Sequence, residues 1–259
     1  CSGARALAVT DNLNFANPNK PEAYHMLKEC VKGLADACSF FDVPVVGGNV
    51  SLYNEHGQGA IDPTPVVSMV GLIDDAKQVT RSFVTQAGQS VLLLGGLPHE
   101  LGGSYYLQTQ FGKKEGRVPE IDLSAEKKVQ DFLLAHISNE SVLAAHDVSE
   151  GGLLVALAEM LFGETGLGFS LSFDSHGPSG RLDSLLFGES QGRVLVAVSA
   201  ERQESVLLAA EESGLAAQVL GSADESGRLK ISMAGEEILD ASVSSLRESW
   251  SQAIPNYME

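Results

Sequence analysis

The sequence of 259 residues is short of basic residues, cysteines and long apolar runs, and each shortage excludes a class of protein. Seventeen lysines and arginines face 34 aspartates and glutamates, and the charge of −17 opposes binding to the phosphate backbone of nucleic acids. No run approaches the ~18 apolar residues of a membrane span, so we expect no membrane segment. A polyphosphate ligand would need divalent cations or backbone N–H groups to offset the repulsion.

The cysteines, Cys1, Cys30 and Cys38, are odd in number and follow no metal-binding spacing. Cys30 and Cys38 fall on the apolar side of a predicted helix, where buried thiols in a reducing cytoplasm are expected rather than a disulfide framework. The sequence also has no Walker loop and no Gly-x-Ser-x-Gly nucleophile motif. Because it opens on a cysteine rather than a methionine, we expect a piece of a longer protein.

Apolar periodicity predicts an α+β protein with two sheet-containing domains. The first domain is predicted to have strands at 5–10, 43–47 and 66–73. One helix, at 21–41, lies between the first two strands. The helix carries apolar side chains that we expect to form a buried stripe: Leu27, Val31, Leu34, Cys38 and Phe41. A weakly structured segment follows at 74–89, and we place the domain boundary between residues 82 and 83.

The second domain, 83–259, is predicted to fold around a mixed sheet that contains strands at 91–94 and 193–198. We expect helices at 124–138, 153–161 and 201–213. Two short strands are expected at 217–221 and 228–233. A final helix begins near Ser244 or Ser245, with Glu248 completing a capping box.

Two polar motifs come directly after apolar runs of the first domain. Asp11 follows the first predicted strand, and the second is followed by Gly47, Gly48, Asn49 and Ser51. The order strand, loop, helix, strand, loop brings both loops to one sheet edge, where ligands of α/β sheets usually bind. Asp11 and Asn49 offer oxygens that suit Mg²⁺, and the glycines let phosphate approach the backbone. Asp11 or Asn49 alone could simply cap a turn, but the five residues together predict a metal–phosphate site.

The second domain has two further motifs. The sequence HDVSEGG at 146–152 precedes a predicted helix, where Asp147 or Ser149 could cap the helix or face an anion or metal at its N-terminus. Both interpretations stay open. The sequence FGESQGR at 187–193 leads into an apolar strand, and its polar residues offer hydrogen bonds to a sugar or phosphate. Alone, this second motif would be explained by a solvated turn.

Together these motifs resemble the phosphoribosylformylglycinamidine synthase family. TDNLNF at 10–15 and PVVGGNVSLYNE at 44–55 are, as a pair, specific to the second half of that synthase. HDVSEGGL and FGESQGRV resemble its closing domain and are shared with the wider aminoimidazole-ribonucleotide-synthetase-like superfamily. SLRESW at 245–250 resembles its C-terminal helix. The motifs keep the family's order over essentially the whole chain.

The resemblance implies an aminoimidazole-ribonucleotide-synthetase-like fold, with a truncated A-type domain at 1–82 and a B-type domain at 83–259. It implies an ATP-dependent C–N ligase of purine biosynthesis, which joins formylglycinamide ribonucleotide and glutamine-derived ammonia and releases ADP and phosphate. An amide oxygen is a poor leaving group, so it is phosphorylated from ATP with Mg²⁺ before ammonia displaces it.

By motif, the resemblance assigns ATP contacts to Asp11 and Gly48, and it assigns a Mg²⁺ ligand to Asn49. It assigns a substrate contact to Ser51. The family's enzyme contains a second, duplicated copy of the site, which is a pseudo-site and not the main one. The residues that match this copy are Asp147, Glu189, Ser190 and Gln191. The family's catalytic histidines and other metal carboxylates lie in the first half of the enzyme, so no residue of this chain is assigned as catalytic.

The resemblance also implies partners: the N-terminal half of the same enzyme, a glutaminase subunit and a small accessory subunit. The chain alone would be inactive, and apolar sheet surface left uncovered in its first domain would favour self-association. Two alternatives remain. One is a superfamily member that transfers phosphate, such as a selenophosphate-synthetase-like or thiamine-phosphate-kinase-like protein, against which the first two motifs argue. The other is a nucleotide-binding half whose ligand only stabilises the fold.

Overall fold

The structure is a computed structural model that describes residues 1–57, 59–97 and 100–258, and it divides into two compact units. The smaller unit is Ala4–Asp74, and the larger combines Cys1–Gly3 with Asp75–Glu259. The compact units thus divide between Asp74 and Asp75, whereas the domain boundary at 82 and 83 stays a prediction. Among the helices of the described ranges, none combines the length and the apolar character that crossing a membrane requires.

The smaller unit is a three-stranded sheet with one long helix. In chain order its elements are β1 (Arg5–Asn14), α1 (Pro21–Phe41), β2 (Val45–Ser51), β3 (Glu55–His56), β4 (Gly59–Ala60) and β5 (Thr64–Leu72). The sheet order is β2-β1-β5, with β1 parallel to β2 and antiparallel to β5. The short strands β3 and β4 form a separate antiparallel pair. The central position therefore belongs to β1, which carries the first motif.

Both motif strands run further than the sequence predicts. β1 continues to Asn14 and β2 begins at Val45 and ends at Ser51, so Asp11 and Gly48 lie inside strands and not in loops after them. The cause is pairing, since β1 is hydrogen-bonded to a strand on each side. These ladders outweigh the turn preference of asparagine and glycine.

The helix α1 begins and ends where local chemistry favours it, but its predicted buried stripe is only partly covered. Pro21 suits the first turn, and Asp42 ends the helix in the left-handed region with φ 54° while its N–H donates to the Cys38 carbonyl. Ala23 is the buried residue of this helix, and Val31 is 44% exposed. The other members of the predicted stripe are half-buried, namely Leu27, Leu34, Cys38 and Phe41.

The strand β5 also exposes apolar side chains, which are Val66, Val67, Met69, Val70 and Leu72. Cys30 is half-buried rather than buried, and burial together with the Asp11 carboxylate raises the pKa of its thiol. The smaller unit thus leaves apolar sheet surface exposed, as the sequence predicts. Self-association through that surface stays a prediction.

The larger unit is a seven-stranded sheet covered by helices on both faces. Its strands are β6 (Ser90–Leu94), β7 (Ala144–Asp147), β8 (Gly168–Phe173), β9 (Val194–Val198), β10 (Ala217–Asp224), β11 (Arg228–Met233) and β12 (Glu236–Ser242). Its helices are α2 (Tyr105–Phe111), α3 (Leu123–Ser138), α4 (Gly152–Glu159), α5 (Leu182–Phe187), α6 (Gln203–Glu212), α7 (Val243–Ser251) and α8 (Ala253–Met258).

The strand order is β12-β11-β8-β10-β6-β9-β7, in which β8 and β11 are parallel and the other neighbouring pairs are antiparallel. The predicted mixed sheet with its flanking helices is therefore confirmed. The strands β8 and β12 and the helices α5 and α8 are among the elements that are absent from the prediction. The last long helix begins at Val243, one residue before the predicted start, because the Ser242 side chain accepts a hydrogen bond from the Ser245 N–H.

The central strands β6 and β9 are buried on both faces, which explains their unbroken apolar sequences. In β9, Leu195 packs with Leu153 of α4 in one core cluster. The next residue, Val196, packs with Phe132 of α3 in the second cluster, on the opposite face of the sheet. One strand therefore links both cores of the larger unit.

Replacing Leu195 by alanine tests this arrangement, because the side chain is fully buried in a central strand. We expect Leu195→Ala to lower the free energy of unfolding of the larger unit by about 2–5 kcal/mol. The matched control is Leu208→Ala on α6, where the side chain is 53% exposed and a change below about 0.5 kcal/mol is expected. Urea denaturation measures both, and equal effects would contradict the burial of β9.

Candidate functional site

The register of β1 and β2 sets the motif residues of the smaller unit side by side. The paired positions are Asp11 with Gly48, Asn12 with Asn49, and Asn14 with Ser51. Parallel strands run to the same edge of a sheet, so both motifs reach that edge together. The register thus places Asp11 beside Gly48 on one face of the two strands, and Asn49 and Ser51, at the alternate positions, on the other face.

Gly48 is a glycine because the Asp11 side chain lies directly against it. A Cβ atom on Gly48 would lie 2.7 Å from the Asp11 carbonyl oxygen and closer still to the carboxylate Oδ1. Real side chains do not approach so closely, so the carboxylate would have to move. Gly47 has no atom within 4 Å of the same position. The second glycine of the motif therefore holds the space for Asp11.

Asn49 is positioned by a side-chain hydrogen bond across the two strands. Its Nδ2 donates to Asn12 Oδ1 at 3.1 Å. The side-chain oxygen of Asn49, Oδ1, has no partner among the described residues. Both side chains are exposed. The free oxygen is therefore available to a ligand at the sheet edge.

Ser51 is held by Asn54, a residue that the sequence analysis did not single out for a role. The Ser51 hydroxyl donates to Asn54 Oδ1 at 3.2 Å, and Asn54 Nδ2 donates to the carbonyls of Ser51 and Phe15 at 2.9 and 3.1 Å. The signal that could have identified it is an asparagine just after a strand end, which is typical of a turn closed by its own side chain.

Lys20, in the loop that precedes α1, forms an ion pair with Glu55 of β3. Lys20 Nζ lies 2.9 Å from both carboxylate oxygens of Glu55, and the Asn17 N–H donates to Glu55 Oε1 at 3.1 Å. The hydrogen bond from Lys20, followed by that from Asn17, holds the pKa of Glu55 below its usual range. This ion pair fixes the loop next to the motif edge.

The donor set at this edge fits part of a magnesium site. Among the described residues no group of three histidines, cysteines, aspartates or glutamates is placed to hold a metal ion. Asp11 and Asn49 each offer a hard oxygen, one anionic and one neutral, although their alternate strand positions turn the two side chains to opposite faces of the sheet. Mg²⁺ is commonly held by one or two protein oxygens while phosphates and waters complete its octahedron. The smaller unit can therefore supply only some of the ligands.

The two motifs of the larger unit also meet. Glu189 Oε1 accepts hydrogen bonds from the N–H groups of Gly151 and Tyr105, both at 2.9 Å. Tyr105 is the first residue of α2 and Gly151 is the N-cap of α4, so the carboxylate lies at two positive helix ends. Gly152, with φ 73°, packs so closely that an added Cβ would lie 2.8 Å from the Gly188 carbonyl oxygen.

Arg193 fixes the backbone on both sides of Glu189 and was not identified from the sequence. Its side chain is 3% exposed, and its guanidinium donates to the carbonyls of Gly188 and Ser190. Burial lowers the pKa of Arg193 to about 10, although the nearby Glu189 carboxylate acts in the opposite direction. A polar residue between a glycine and an apolar strand gave no sign of such deep burial.

In the described part of the chain, the other residues assigned to the pseudo-site, Asp147, Ser190 and Gln191, are not connected to one another as Glu189 is to Gly151. Asp147 has an exposed side chain at the end of β7, and no hydrogen bond among the described residues connects it to Glu189, Ser190 or Gln191. Neither Asp147 nor Ser149 caps α4, since its N-cap is Gly151 without a side-chain bond. The capping interpretation of both residues is therefore wrong.

Gln191 lines a cavity of about 260 Å³ next to Gly95 and Gly192. The same cavity is lined by Glu126, a half-buried carboxylate whose pKa is raised by burial. Glu126 Oε1 lies 3.2 Å from the position of a Cβ on Gly192. Of Asp147, Glu189, Ser190 and Gln191, it is Gln191 that borders this partly enclosed space, whereas Glu189 is hydrogen-bonded to the HDVSEGG loop through the Gly151 N–H.

Comparison with known proteins follows the same division of the chain. Residues 1–73 match the family described as AIR synthase related protein, N-terminal domain, and residues 86–234 match the C-terminal domain of the same description. The phosphoribosylformylglycinamidine synthase subunit PurL of Deinococcus radiodurans is 42% identical over 264 residues, which cover 98% of this chain and 35% of that protein. The chain spans about a third of the length of the curated relatives it matches.

Solved structures show the same fold. The structures of PurL from Thermotoga maritima complexed with ATP and with FGAR match with TM-scores of 0.74 and 0.75. Both are 21% identical to this chain and cover 95% of it, and the matches span 38% and 40% of those chains. At this level of identity the likeness shows the fold of the chain.

The close contact between Gly48 and Asp11 predicts that a methyl group added at position 48 destabilises the smaller unit. We expect Gly48→Ala to lower the free energy of unfolding of the smaller unit by about 1–3 kcal/mol, because the added Cβ displaces the Asp11 carboxylate and the strand. Gly47→Ala, which meets open space, is the control and should cost less than about 0.5 kcal/mol. Hydrogen exchange of the β1 and β2 amides measures both, and similar values would refute the close approach.

The hydrogen bonds to Glu189 predict a graded series. Glu189→Ala leaves two N–H groups at helix ends without their acceptor, so we expect a loss of about 1–3 kcal/mol in the stability of the larger unit. Glu189→Gln keeps an oxygen acceptor and should lose less. Glu150→Ala, at an exposed neighbouring carboxylate, is the control. Thermal unfolding compares the three, and equal stability of Glu189→Ala and the unsubstituted protein would count against this role.

Proposed function

The chain belongs to the AIR synthase related protein family, and we propose that it forms part of a phosphoribosylformylglycinamidine synthase. In this proposal the whole enzyme joins ammonia to formylglycinamide ribonucleotide at the expense of ATP. Relatives that carry this synthase name are 39–42% identical to the chain over nearly all of its length. Thermotoga maritima PurL, which has the same fold, has been solved with ATP and with FGAR.

The register of β1 and β2 is the observation that carries the proposal. It sets Asp11 against Gly48, which we assign to the nucleotide, and it sets Ser51 further along the same edge, where we assign the ribonucleotide substrate. The two anionic substrates of the reaction must lie next to each other, because the γ-phosphoryl group of ATP passes to the amide oxygen. A single sheet edge that holds both sets of contacts suits this transfer.

The chemistry then needs one bond to form and one to break. Once the γ-phosphoryl group is on the amide oxygen and ADP has formed, ammonia attacks the amide carbon and the carbon–oxygen bond breaks, so that the oxygen leaves with phosphate. The proton that ammonia loses passes to an acid–base residue of the N-terminal half. Asn49, with its free carbonyl oxygen, would hold Mg²⁺, and when bound this ion offsets the charge of the phosphates. The Ser51 hydroxyl, held by Asn54, orients the substrate.

The other components of the reaction lie outside this chain in our proposal. The N-terminal half of the enzyme supplies the acid–base residues and further metal ligands, a glutaminase subunit supplies ammonia, and a small accessory subunit joins them. We place the reaction in the cytoplasm, which suits three cysteines in the thiol form. For Asp147, Glu189, Ser190 and Gln191 we propose a non-catalytic pseudo-site, in which Glu189 supports the loops.

The test is a comparison of the chain with the full-length enzyme that contains it. We expect synthase activity with ATP, Mg²⁺ and ammonia from the full-length protein and no turnover from residues 1–259 alone. Phosphate release that depends on ammonia measures both. An inactive full-length protein would refute the proposed function, and turnover by the chain alone would refute its dependence on the other half.

Substitution of Asn49 tests its assignment within the full-length enzyme. We expect Asn49→Ala to reduce the ATP-dependent rate about a hundredfold or more, because phosphate charge is less well offset. Stability should change by less than about 1 kcal/mol, since the side chain is exposed. Asn256→Ala, at an exposed asparagine of α8, should leave both unchanged. Full activity of Asn49→Ala would show that Asn49 is not a ligand.

A further inference from the structure

We infer that Tyr53 contacts the ribonucleotide substrate, and that the fold keeps its backbone in an unfavourable conformation to present the ring to that substrate. The inference rests on the proposed function and adds a residue to it. Tyr53 follows the end of β2, and its φ of 63° lies in the left-handed region that favours glycine. A bulky side chain there has an energetic cost that something else must justify.

The other non-glycine residues with positive φ among the described residues have ordinary explanations. Asp42 and Glu140 follow the ends of the helices α1 and α3, and Ala234 lies in the turn between β11 and β12. Such positions commonly take the left-handed conformation. Tyr53 is neither at a helix end nor in a two-strand turn, and it is the largest side chain of the four.

The backbone around Tyr53 is fixed by several hydrogen bonds. The Tyr53 N–H donates to the Ala16 carbonyl at 3.4 Å, and the Asn54 N–H donates to the Phe15 carbonyl at 3.2 Å. The Asn54 side chain adds a bond to the Phe15 carbonyl, and the main-chain carbonyl of Asn54 accepts from the Ile61 N–H at 3.1 Å. The left-handed conformation of Tyr53 is therefore fixed by main-chain and Asn54 side-chain hydrogen bonds to nearby residues of this chain. The tyrosine ring takes part in none of these bonds.

The ring itself is not anchored by polar or aromatic contacts in the described part of the chain. It is 59% exposed, and no hydrogen bond or ring contact of its side chain is found there. Glycine or asparagine would satisfy the same backbone bonds with less strain. The fold thus accepts an unfavourable residue whose distinguishing part, an aromatic ring with a hydroxyl group, points to a ligand.

The position of Tyr53 indicates which ligand it contacts. Along β1 and β2 the paired positions run from Asp11 and Gly48, at the proposed nucleotide end, to Ser51 at the proposed substrate end. Tyr53 lies two residues beyond Ser51, on the side away from the nucleotide contacts. A phenol ring offers a flat apolar face for a sugar and a hydroxyl group for a hydrogen bond. We therefore assign it to the ribose part of formylglycinamide ribonucleotide.

The test separates the backbone from the ring in the full-length enzyme. Tyr53→Gly and Tyr53→Asn relieve the strain and remove the ring, so we expect an unchanged or higher melting temperature and at least a tenfold higher KM for formylglycinamide ribonucleotide. The KM for ATP should stay within twofold. Tyr53→Phe keeps the ring and should stay within threefold for both substrates. Tyr257→Ala, at a tyrosine that is 90% exposed on α8, is the control.

Each outcome decides the question. A KM for the ribonucleotide that stays within twofold in Tyr53→Gly would overturn the inference while leaving the proposed function in place. A clearly lower melting temperature of Tyr53→Gly would also overturn it, because the ring would then be packing against protein. If the unsubstituted enzyme neither binds formylglycinamide ribonucleotide by calorimetry nor turns it over, the proposed function fails, and the inference fails with it.

Discussion

The position of β1 between a parallel and an antiparallel partner is the constraint on which the site of the smaller unit depends. A central strand gives its backbone donors and acceptors to neighbours on both sides, so its register is fixed twice over. A slip of one residue against β2 would turn alternate side chains to the other face and separate Asp11 from Gly48. The hydrogen bond from Asn49 to Asn12 and the order of contacts that ends at Ser51 follow from the same register.

In the larger unit, two charged side chains, those of Arg193 and Glu189, fix the loops by hydrogen bonds to main-chain groups. The Arg193 guanidinium is buried and donates to carbonyls on both sides of Glu189, whose carboxylate in turn accepts from two helix N-termini. Burying this charge is unfavourable, and Arg193 Nη1 has no hydrogen-bond partner among the described residues, so the two bonds that the guanidinium does make are the ones that hold the loop backbone. This explains how the HDVSEGG and FGESQGR sequences form one rigid junction even though most of their polar side chains have no partner across it.

Strongly periodic segments could be predicted from the sequence, and side-chain contacts between distant segments could not. The strands β6 and β9 and the helices α3, α4 and α6 follow from their apolar patterns, whereas β12 has too many acidic residues. The strand β8 alternates phenylalanine and leucine with serine, as a half-buried strand does, so it could have been predicted and was missed. The motifs of Asp11, Gly48, Asn49 and Ser51 predict a joint site, but one built on loops, because the turn preference of asparagine and glycine is visible in the sequence and strand pairing is not. The burial of Arg193 depends on a fold that brings loops together, which no local pattern records.

The pairing of β1 with β5 joins residues that are far apart in the chain, such as Asn14 and Thr64, which are separated by 50 positions. In kinetic terms, the long helix α1 forms from local contacts, whereas the central strand gains its second partner only after a large loop has closed. We therefore expect the pairing of β1 with β5, which completes the sheet beside the motif residues, to form late in the folding of this unit. Topology thus governs how quickly a binding-competent edge appears, separately from how stable that edge is once it has formed.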